Sequence, residues 1–223
     1  FVVLLVLSLF EFFRVLVLYS SGHHTIPYHS QSMLLLTGTR LLAFQQITHG
    51  RSAPIQRRVS TQLKMASSLP SVFSPDTGDP LSGEELTNKL KNKRVALYFS
   101  AGWCPMCTSI EPDIKAFRES SAADGKPIEF IYVSSDQSEE AALERSKALQ
   151  MIAVPFSEVD AIKKQYNVWS GREAAKLGTD RRAGVPSIVP LDKTGTELAF
   201  VATESQGKKA LDTWPLDDSN GIW

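Results

Sequence analysis

The chain has 223 residues, and its 24 basic and 24 acidic side chains balance to a formal charge of zero. The balance conceals an asymmetry, because residues 1–65 carry six basic residues and one acid, whereas residues 66–223 carry 18 and 23. A mildly acidic C-terminal part gives no reason to expect nucleic-acid binding. Two cysteines are too few for a disulfide framework or a zinc site, and all four histidines fall in the first 50 residues. The acidic part therefore holds no Cys-His or Ser-His-Asp catalytic pair.

The N-terminal extension, residues 1–64, is not expected to form part of a globular fold. Residues 1–20 are apolar enough to span a membrane, although Glu11 and Arg14 would each cost roughly 2–3 kcal/mol at the bilayer centre. Residues 33–64 contain arginines, serines and threonines but no acid, as organelle transit peptides do. A secretory signal or anchor, a transit peptide, a two-part plastid address, a disordered basic tail and an untranslated stretch all stay open.

One domain, residues 65–223, is expected whichever of these alternatives holds. Translation from about Met65 would leave that domain in the cytosol, whereas a transit peptide within residues 33–64 would deliver it to a mitochondrion or a plastid. The prediction is thus an intracellular reducing compartment. Attachment to a membrane is expected only if residues 1–20 are retained as an anchor.

Apolar runs and helix signals alternate along this domain. Residues 95–99 and 128–133 are nearly continuous apolar runs, which predicts two buried central strands. A tight turn predicts a hairpin of strands 187–191 and 197–201. Helices are predicted at 82–90, 104–120, 138–150, 159–166, 172–177 and 205–213. This order predicts an α/β fold with a mixed sheet and helices on both faces.

Two prolines bear on these elements. Pro112 lies inside the helix predicted at 104–120, where it removes a backbone hydrogen bond and predicts a kink. Pro190 lies inside the strand predicted at 187–191, and proline in a strand indicates an edge position or an early bend.

The two cysteines, Cys104 and Cys107, lie three residues apart between the first predicted strand and the helix after it. A Cys-x-x-Cys at a strand-to-helix junction indicates a redox site. The free N–H groups and the positive dipole end of a helix start favour a thiolate, which is the species that attacks a disulfide. Residues i and i+3 also lie on one helix face, within side-chain reach. The alternative is a pair of buried structural cysteines.

Further stretches of the domain occur in the order of a known family, at 97–105, 130–136, 154–157, 184–186 and 191–193. The most specific are Trp-Cys-Pro-Met-Cys at 103–107 and Gly-Val-Pro at 184–186. Over roughly residues 84–202 the chain resembles the thioredoxin superfamily, and more narrowly its tryparedoxin/nucleoredoxin branch. The resemblance implies a thioredoxin-like three-layer fold, with a mixed central β-sheet and helices on both faces.

The resemblance also implies roles for individual residues. Cys104 would be the exposed attacking thiolate, and Cys107 the resolving thiol that breaks the mixed disulfide. Pro186 matches the family's cis-proline, which with Val185 lies beside the cysteines and presents backbone to an extended substrate. Pro105 and Trp103 would also shape the site. Trp103 would shield the dithiol and form part of the docking surface, and the alternative is that it packs as a core tryptophan.

Tyr98 stands where ordinary thioredoxins carry a buried aspartate, six residues before the first cysteine, and the tryparedoxins share this exchange. Asp136, at the end of the neighbouring strand, is the candidate proton relay in its place, with an exposed strand-end cap as the alternative. Thr108 replaces a basic residue often found after the second cysteine, and Met106 replaces the usual proline or glycine.

Two other parts of the chain could contribute to the site. Arg181 and Arg182 lie just before the Pro186 loop, and they either supply positive charge to the site or form a solvated pair. Residues 156–184 are longer than usual in the branch, and they form either a lid or partner surface, or packing.

The function implied is a thiol-disulfide oxidoreductase that reduces protein disulfides through Cys104 and Cys107. No metal or organic cofactor is expected, because the dithiol itself carries the electrons. They would come from an upstream reductase or a small dithiol, and pass to protein disulfides or a peroxidase. The alternative is a redox-regulated protein-binding module with little turnover, as in a nucleoredoxin-like signalling adaptor.

Overall fold

The computed structural model describes residues 66–217. The predictions made for residues 1–64 lie outside this range, and the domain boundary at residue 65 stays a prediction. Within the described range, no helix is both long and apolar enough to cross a bilayer.

A mixed four-stranded β-sheet forms the centre of the fold. Its strands are β1 (Arg94–Ser100), β2 (Ile128–Ser134), β3 (Ile152–Ala153) and β4 (Ser187–Leu191). They lie in the order β3-β2-β1-β4, with β1, β2 and β3 parallel and β4 antiparallel to β1. The mixed sheet predicted from the sequence is therefore confirmed.

Side chains of β1 alternate between two hydrophobic cores, one on each face of the sheet. Val95, Leu97 and Phe99 belong to the first core, whereas Ala96 and Tyr98 belong to the second. Every residue of β1 and β2 is buried, because both faces of these central strands are covered. Successive strand side chains point to opposite faces, so one apolar run supplies both cores.

The helices cover the two faces and complete three layers. They are α1 (Gly83–Leu90), α2 (Pro105–Ala123), α3 (Glu139–Leu149), α4 (Val159–Tyr166), α5 (Ala174–Leu177) and α6 (Thr203–Gln206), with 3-10 turns at Gly171–Glu173 and Gly207–Thr213. The first core is closed by α1 and α4, and the second by α2 and the turn Gly207–Thr213. This is the predicted arrangement of helices on both faces.

The strand predicted at 197–201 is wrong as a regular strand. Only Glu197 and Val201 bridge to β4, where they face Leu191 and Ile188. The outer segment advances four residues while β4 advances three, so one residue is left unpaired, as in a β-bulge. The helix predicted at 205–213 is shifted, since α6 begins at Thr203 and the chain continues as a 3-10 turn.

Pro190 occupies an edge strand, as predicted. It faces Ala96 of β1, and its carbonyl accepts a hydrogen bond from the Leu198 N–H at 2.8 Å on the outer side of β4. In an antiparallel strand the N–H and the carbonyl of one residue point to the same side. The missing N–H of Pro190 therefore removes no hydrogen bond between β4 and β1. Helix α2 continues through Pro112 as a single element.

Candidate active site

The two cysteines lie where β1 ends and α2 begins. Cys104 has extended backbone angles and caps the helix, and Pro105 is the first helical residue, a position at which proline costs no hydrogen bond. The Cys107 N–H donates a hydrogen bond to Cys104 Sγ at 3.3 Å. The sulfur thus takes the place of a capping oxygen, and this contact stabilises negative charge on it.

The accessibility of the two thiols differs from the expectation. Cys104 is 6% exposed and Cys107 is fully buried. The prediction that Cys104 is exposed is therefore wrong, although Cys104 is the more accessible of the two thiols. Both thiols are free in this structure. An incoming disulfide can therefore reach Cys104 first, whereas Cys107 has no exposed surface.

The loop before β4 lies against Cys104. The Val185–Pro186 peptide bond is cis, as the resemblance implied, and the Cys104 thiol donates to the Val185 carbonyl at 3.7 Å. Two residues of α6 hold this loop, because Thr203 donates to the Pro186 carbonyl at 2.8 Å and the Glu204 carboxylate accepts from the Gly184 N–H. The chain thus brings Cys104, Val185 and Pro186 together from elements about 80 residues apart.

Gly184 occupies a position with no room for a side chain as the loop stands. A Cβ atom there would collide with Glu204 Oε1 and would lie 2.6 Å from an Arg181 nitrogen. Those two side chains form an ion pair at 3.6 Å, and Arg181 also donates to the Trp169 carbonyl. Polar side-chain contacts therefore help to hold the loop that carries Pro186 in place.

Trp103 is partly buried and held at both its edge and its face. Its indole Nε1 donates to the Ser135 carbonyl at 2.8 Å, and the Arg172 guanidinium lies 3.9 Å from the ring centroid. The ring also packs against the first core. Trp103 is thus neither a plain core tryptophan nor a free surface residue, and one face of it carries a cation.

Asp136 connects the end of β2 to the loop before Cys104. Its Oδ1 accepts from the Gly102 N–H at 2.7 Å, and its Oδ2 accepts from Tyr132 at 2.6 Å and from Ser134 at 2.8 Å. None of the hydrogen bonds found for Asp136 in the described part of the chain involves Cys107. These contacts position the loop that carries the dithiol, and the proton-relay role stays a prediction.

Polar groups lie close to Cys107, and among them Glu111 was missed in the sequence interpretation, whereas Tyr98 was noted. Glu111 stands one turn further along α2 and forms an ion pair with Arg145 of α3. The hydroxyl groups of Tyr98 and Ser100 are buried, and neither makes a well-aligned hydrogen bond within the described residues. The i, i+4 spacing could have drawn attention to Glu111, since it lies on the Cys107 side of the helix.

Burial raises the pKa of the Cys107 thiol to about 12, the contact with Cys104 raises it as well, and contacts with Ser100 and Ala101 oppose the rise. The folded state therefore favours the protonated thiol, relative to an ordinary pKa of 9.0. The resulting stability is intact below about pH 9 and is lost as the pH rises towards about 12. We expect the reduced protein to lose stability across this window, and Cys107→Ser to lose less.

Denaturant titrations under reducing conditions, at pH values from about 8 to 11, measure this difference. Burial also raises the pKa of Tyr98 and of Tyr132. Both tyrosines are present in the two proteins, so their contribution cancels in the comparison. Parallel pH profiles for the wild type and Cys107→Ser would contradict the assignment of a raised pKa to Cys107.

The longer segment at 156–184 contributes both to packing and to the site. Trp169 is buried and donates to the Gly178 carbonyl at 3.0 Å, while Arg172 reaches Trp103. The two arginines expected near Pro186 are paired with carboxylates, Arg181 with Glu204 and Arg182 with Glu197. Their positive charges are therefore largely neutralised within the domain.

Comparisons with known proteins show which families this chain is similar to. A family model described as Thioredoxin-like matches residues 92–197. Probable nucleoredoxin 1 of Arabidopsis thaliana is 23% identical over 175 residues, and nucleoredoxin of Mus musculus is 30% identical over 116 residues. Residues 92–197 are therefore thioredoxin-like, and the sequence relatives of the chain include nucleoredoxins.

The matches with the nucleoredoxins cover 78% and 51% of this chain but only 27% and 24% of the relatives, so the chain spans about a quarter of their length. Among solved structures, tryparedoxin II from Crithidia fasciculata is similar with a TM-score of 0.49 and 19% identity, over 74% of this chain and 98% of that chain. The thioredoxin-like fold predicted from the sequence is confirmed by the family match, and the superfamily is one of thiol oxidoreductases.

Proposed function

We propose that this thioredoxin-like protein reduces protein disulfides through its Cys104–Cys107 dithiol. The Cys104 thiolate attacks one sulfur of a substrate cystine, the new mixed disulfide forms, and the other substrate sulfur leaves and takes a proton. Cys107 then attacks Cys104 Sγ, which closes the Cys104–Cys107 disulfide and releases the second substrate thiol. Two electrons and two protons pass from the protein to the substrate.

The position of Cys104 Sγ carries this proposal. The sulfur lies between the Cys107 N–H, at 3.3 Å, and the Val185 carbonyl, at 3.7 Å. The first contact stabilises a thiolate at the helix start, and the second places the sulfur beside the backbone that precedes Pro186. An extended substrate chain lying along Val185 would therefore bring its cystine to Cys104.

The supply of electrons is external in this proposal. No metal or organic cofactor takes part, because the dithiol and its disulfide are the two redox states that the cycle needs. An upstream reductase or a small dithiol would restore the reduced pair. The acceptors would be protein disulfides, including the disulfide of a peroxidase.

Insulin-disulfide reduction in the presence of dithiothreitol tests the proposal. The wild-type protein is expected to accelerate the reaction well above the dithiothreitol background, and Cys104→Ser to return it to that background. Ser109→Ala is the control, since Ser109 is exposed on α2 and its hydroxyl donates only to the Met106 carbonyl. Absence of turnover by the wild type, together with reversible oxidation of the dithiol, would instead favour a redox-regulated binding module.

A further inference from the structure

The cations near the dithiol differ in whether they have a carboxylate partner. Three are paired: Arg145 with Glu111, Arg181 with Glu204 and Arg182 with Glu197. Arg172 forms no ion pair with any residue in the range 66–217. Its side chain is exposed, so its charge remains available to a binding partner.

Arg172 is nevertheless held in a defined place. Its guanidinium stacks 3.9 Å from the centroid of the Trp103 ring, and Trp103 directly precedes Cys104. The ring is itself anchored through the hydrogen bond from Nε1 to the Ser135 carbonyl. Stacking on an aromatic face leaves the edge of a guanidinium, with its N–H donors, free to bind a carboxylate.

The turn that carries Arg172 is fixed by its neighbour Glu173. This carboxylate accepts hydrogen bonds from Ser170 N–H and from Ser170 Oγ, each at 2.8 Å, and pairs with the buried Lys163 at 2.5 Å. The backbone at Gly171–Glu173 is therefore tied to α4. A positive charge on a rigid turn selects among ligands more sharply than one on a mobile loop.

The two exposed residues that directly follow Cys104 are apolar. Pro105 is exposed, and Met106 is 49% exposed. The carboxylate of Asp136 is occupied by its three hydrogen bonds to neighbouring residues. A chain that delivers a cystine to Cys104 thus meets these apolar residues and, over the ring of Trp103, the guanidinium of Arg172, which has no ion-pair partner in the described part of the chain.

We propose that Trp103 and Arg172 form a subsite for a carboxylate side chain adjacent to the target cystine, so that acidic peptide disulfides react faster with Cys104 than basic ones. This inference rests on the proposed function and specifies its substrate class. Charge complementarity at an accessible position acts chiefly on the rate of encounter and on the choice of partner. Exposed ion pairs contribute modestly, so a preference of roughly threefold is expected.

The test measures attack by Cys104 alone. In a Cys107→Ser background, the mixed disulfide is quantified by mass spectrometry after reaction with two cystine-bridged peptides that differ only in flanking glutamates or lysines. Each rate is divided by the rate with a neutral monothiol, which removes the intrinsic effect of the flanking charges on the cystine. The wild-type Arg172 should favour the glutamate peptide by about threefold, and Arg172→Glu should reverse the preference.

Lys115→Glu is the matched control, since it changes the net charge equally at an exposed site on α2, about 16 Å beyond Cys104 along the helix. It should keep the glutamate preference, which should weaken at high salt. Arg172→Lys should retain part of it. Equal rates for both peptides with the wild type would overturn the inference and leave the proposed function standing. The same conclusion would follow if Arg172→Glu lowered the rates with both peptides equally. No reaction with either peptide would overturn both.

Discussion

Cys107→Ser is expected to convert the protein from a turnover catalyst into a trap for its substrates. Cys104 keeps its contacts with the Cys107 backbone N–H and the Val185 carbonyl in this variant, so its attack on a disulfide should persist. The resolving step is lost, because a serine hydroxyl does not displace a thiol from a disulfide. A well-placed intramolecular group has an effective molarity of about 10⁵ M or more, so turnover should fall by at least roughly 100-fold.

Non-reducing electrophoresis of the variant, after incubation with oxidised insulin, measures the accumulated mixed disulfide. Cys104→Ser is the matched control, since it removes the other sulfur of the same pair and should trap nothing. Its remaining thiol, Cys107, is fully buried. Trapping by Cys104→Ser at the level of Cys107→Ser would reverse the assignment of the attacking and resolving roles.

The parts of the fold that the sequence predicted are those fixed by local pattern. The run at 95–99 predicts β1 because the side chains of a strand covered on both faces are mostly apolar. The segment at 197–201 has the same apolar character, but its pairing is decided by the one extra residue opposite β4. No period in the sequence records such a bulge. The two-residue strand β3 is likewise too short to leave a pattern.

The candidate site, too, was only partly predictable from the sequence. The Cys-x-x-Cys spacing and the Gly-Val-Pro motif indicate the dithiol and the loop opposite it, and the structure places Cys104 and Val185 in contact. The partners of these residues could not be predicted, because a side-chain pair between separate elements leaves no local signal. Arg172 on Trp103 and Glu204 on Gly184 are examples. Arg172 lies in the segment whose length alone marked it as unusual.

The ion pair between Lys163 and Glu173 underlies the position of that segment. The Lys163 side chain is 2% exposed, whereas the Glu173 side chain retains 19% exposure. Burial alone would raise the pKa of Glu173, but the hydrogen bond and charge of Lys163 outweigh it and lower that pKa. The stabilisation is thus present above the ordinary pKa of glutamate and is lost as the pH falls through the lowered value.

Glu173→Ala is expected to lower the free energy of unfolding by roughly 2–3 kcal/mol, since it leaves the Lys163 ammonium buried without its partner. A fully enclosed pair typically costs about 3–5 kcal/mol when one member is removed, and the residual solvent contact of Glu173 reduces this. Urea denaturation at neutral pH measures the difference. The same variant should lose the charge preference assigned to Arg172, because the turn Gly171–Glu173 is released from α4.

Lys176→Ala is the control from the same segment, because Lys176 pairs with Asp160 at an exposed position and its removal should hardly change stability. Adding Lys163→Met to Glu173→Ala should recover most of the lost stability, since the buried charge then disappears. The charge preference should not recover, because Ser170 still lacks the carboxylate that its N–H and hydroxyl donate to. If Glu173→Ala costs no more than Lys176→Ala, Lys163 does not depend on Glu173, and the pair does not hold Arg172 in place.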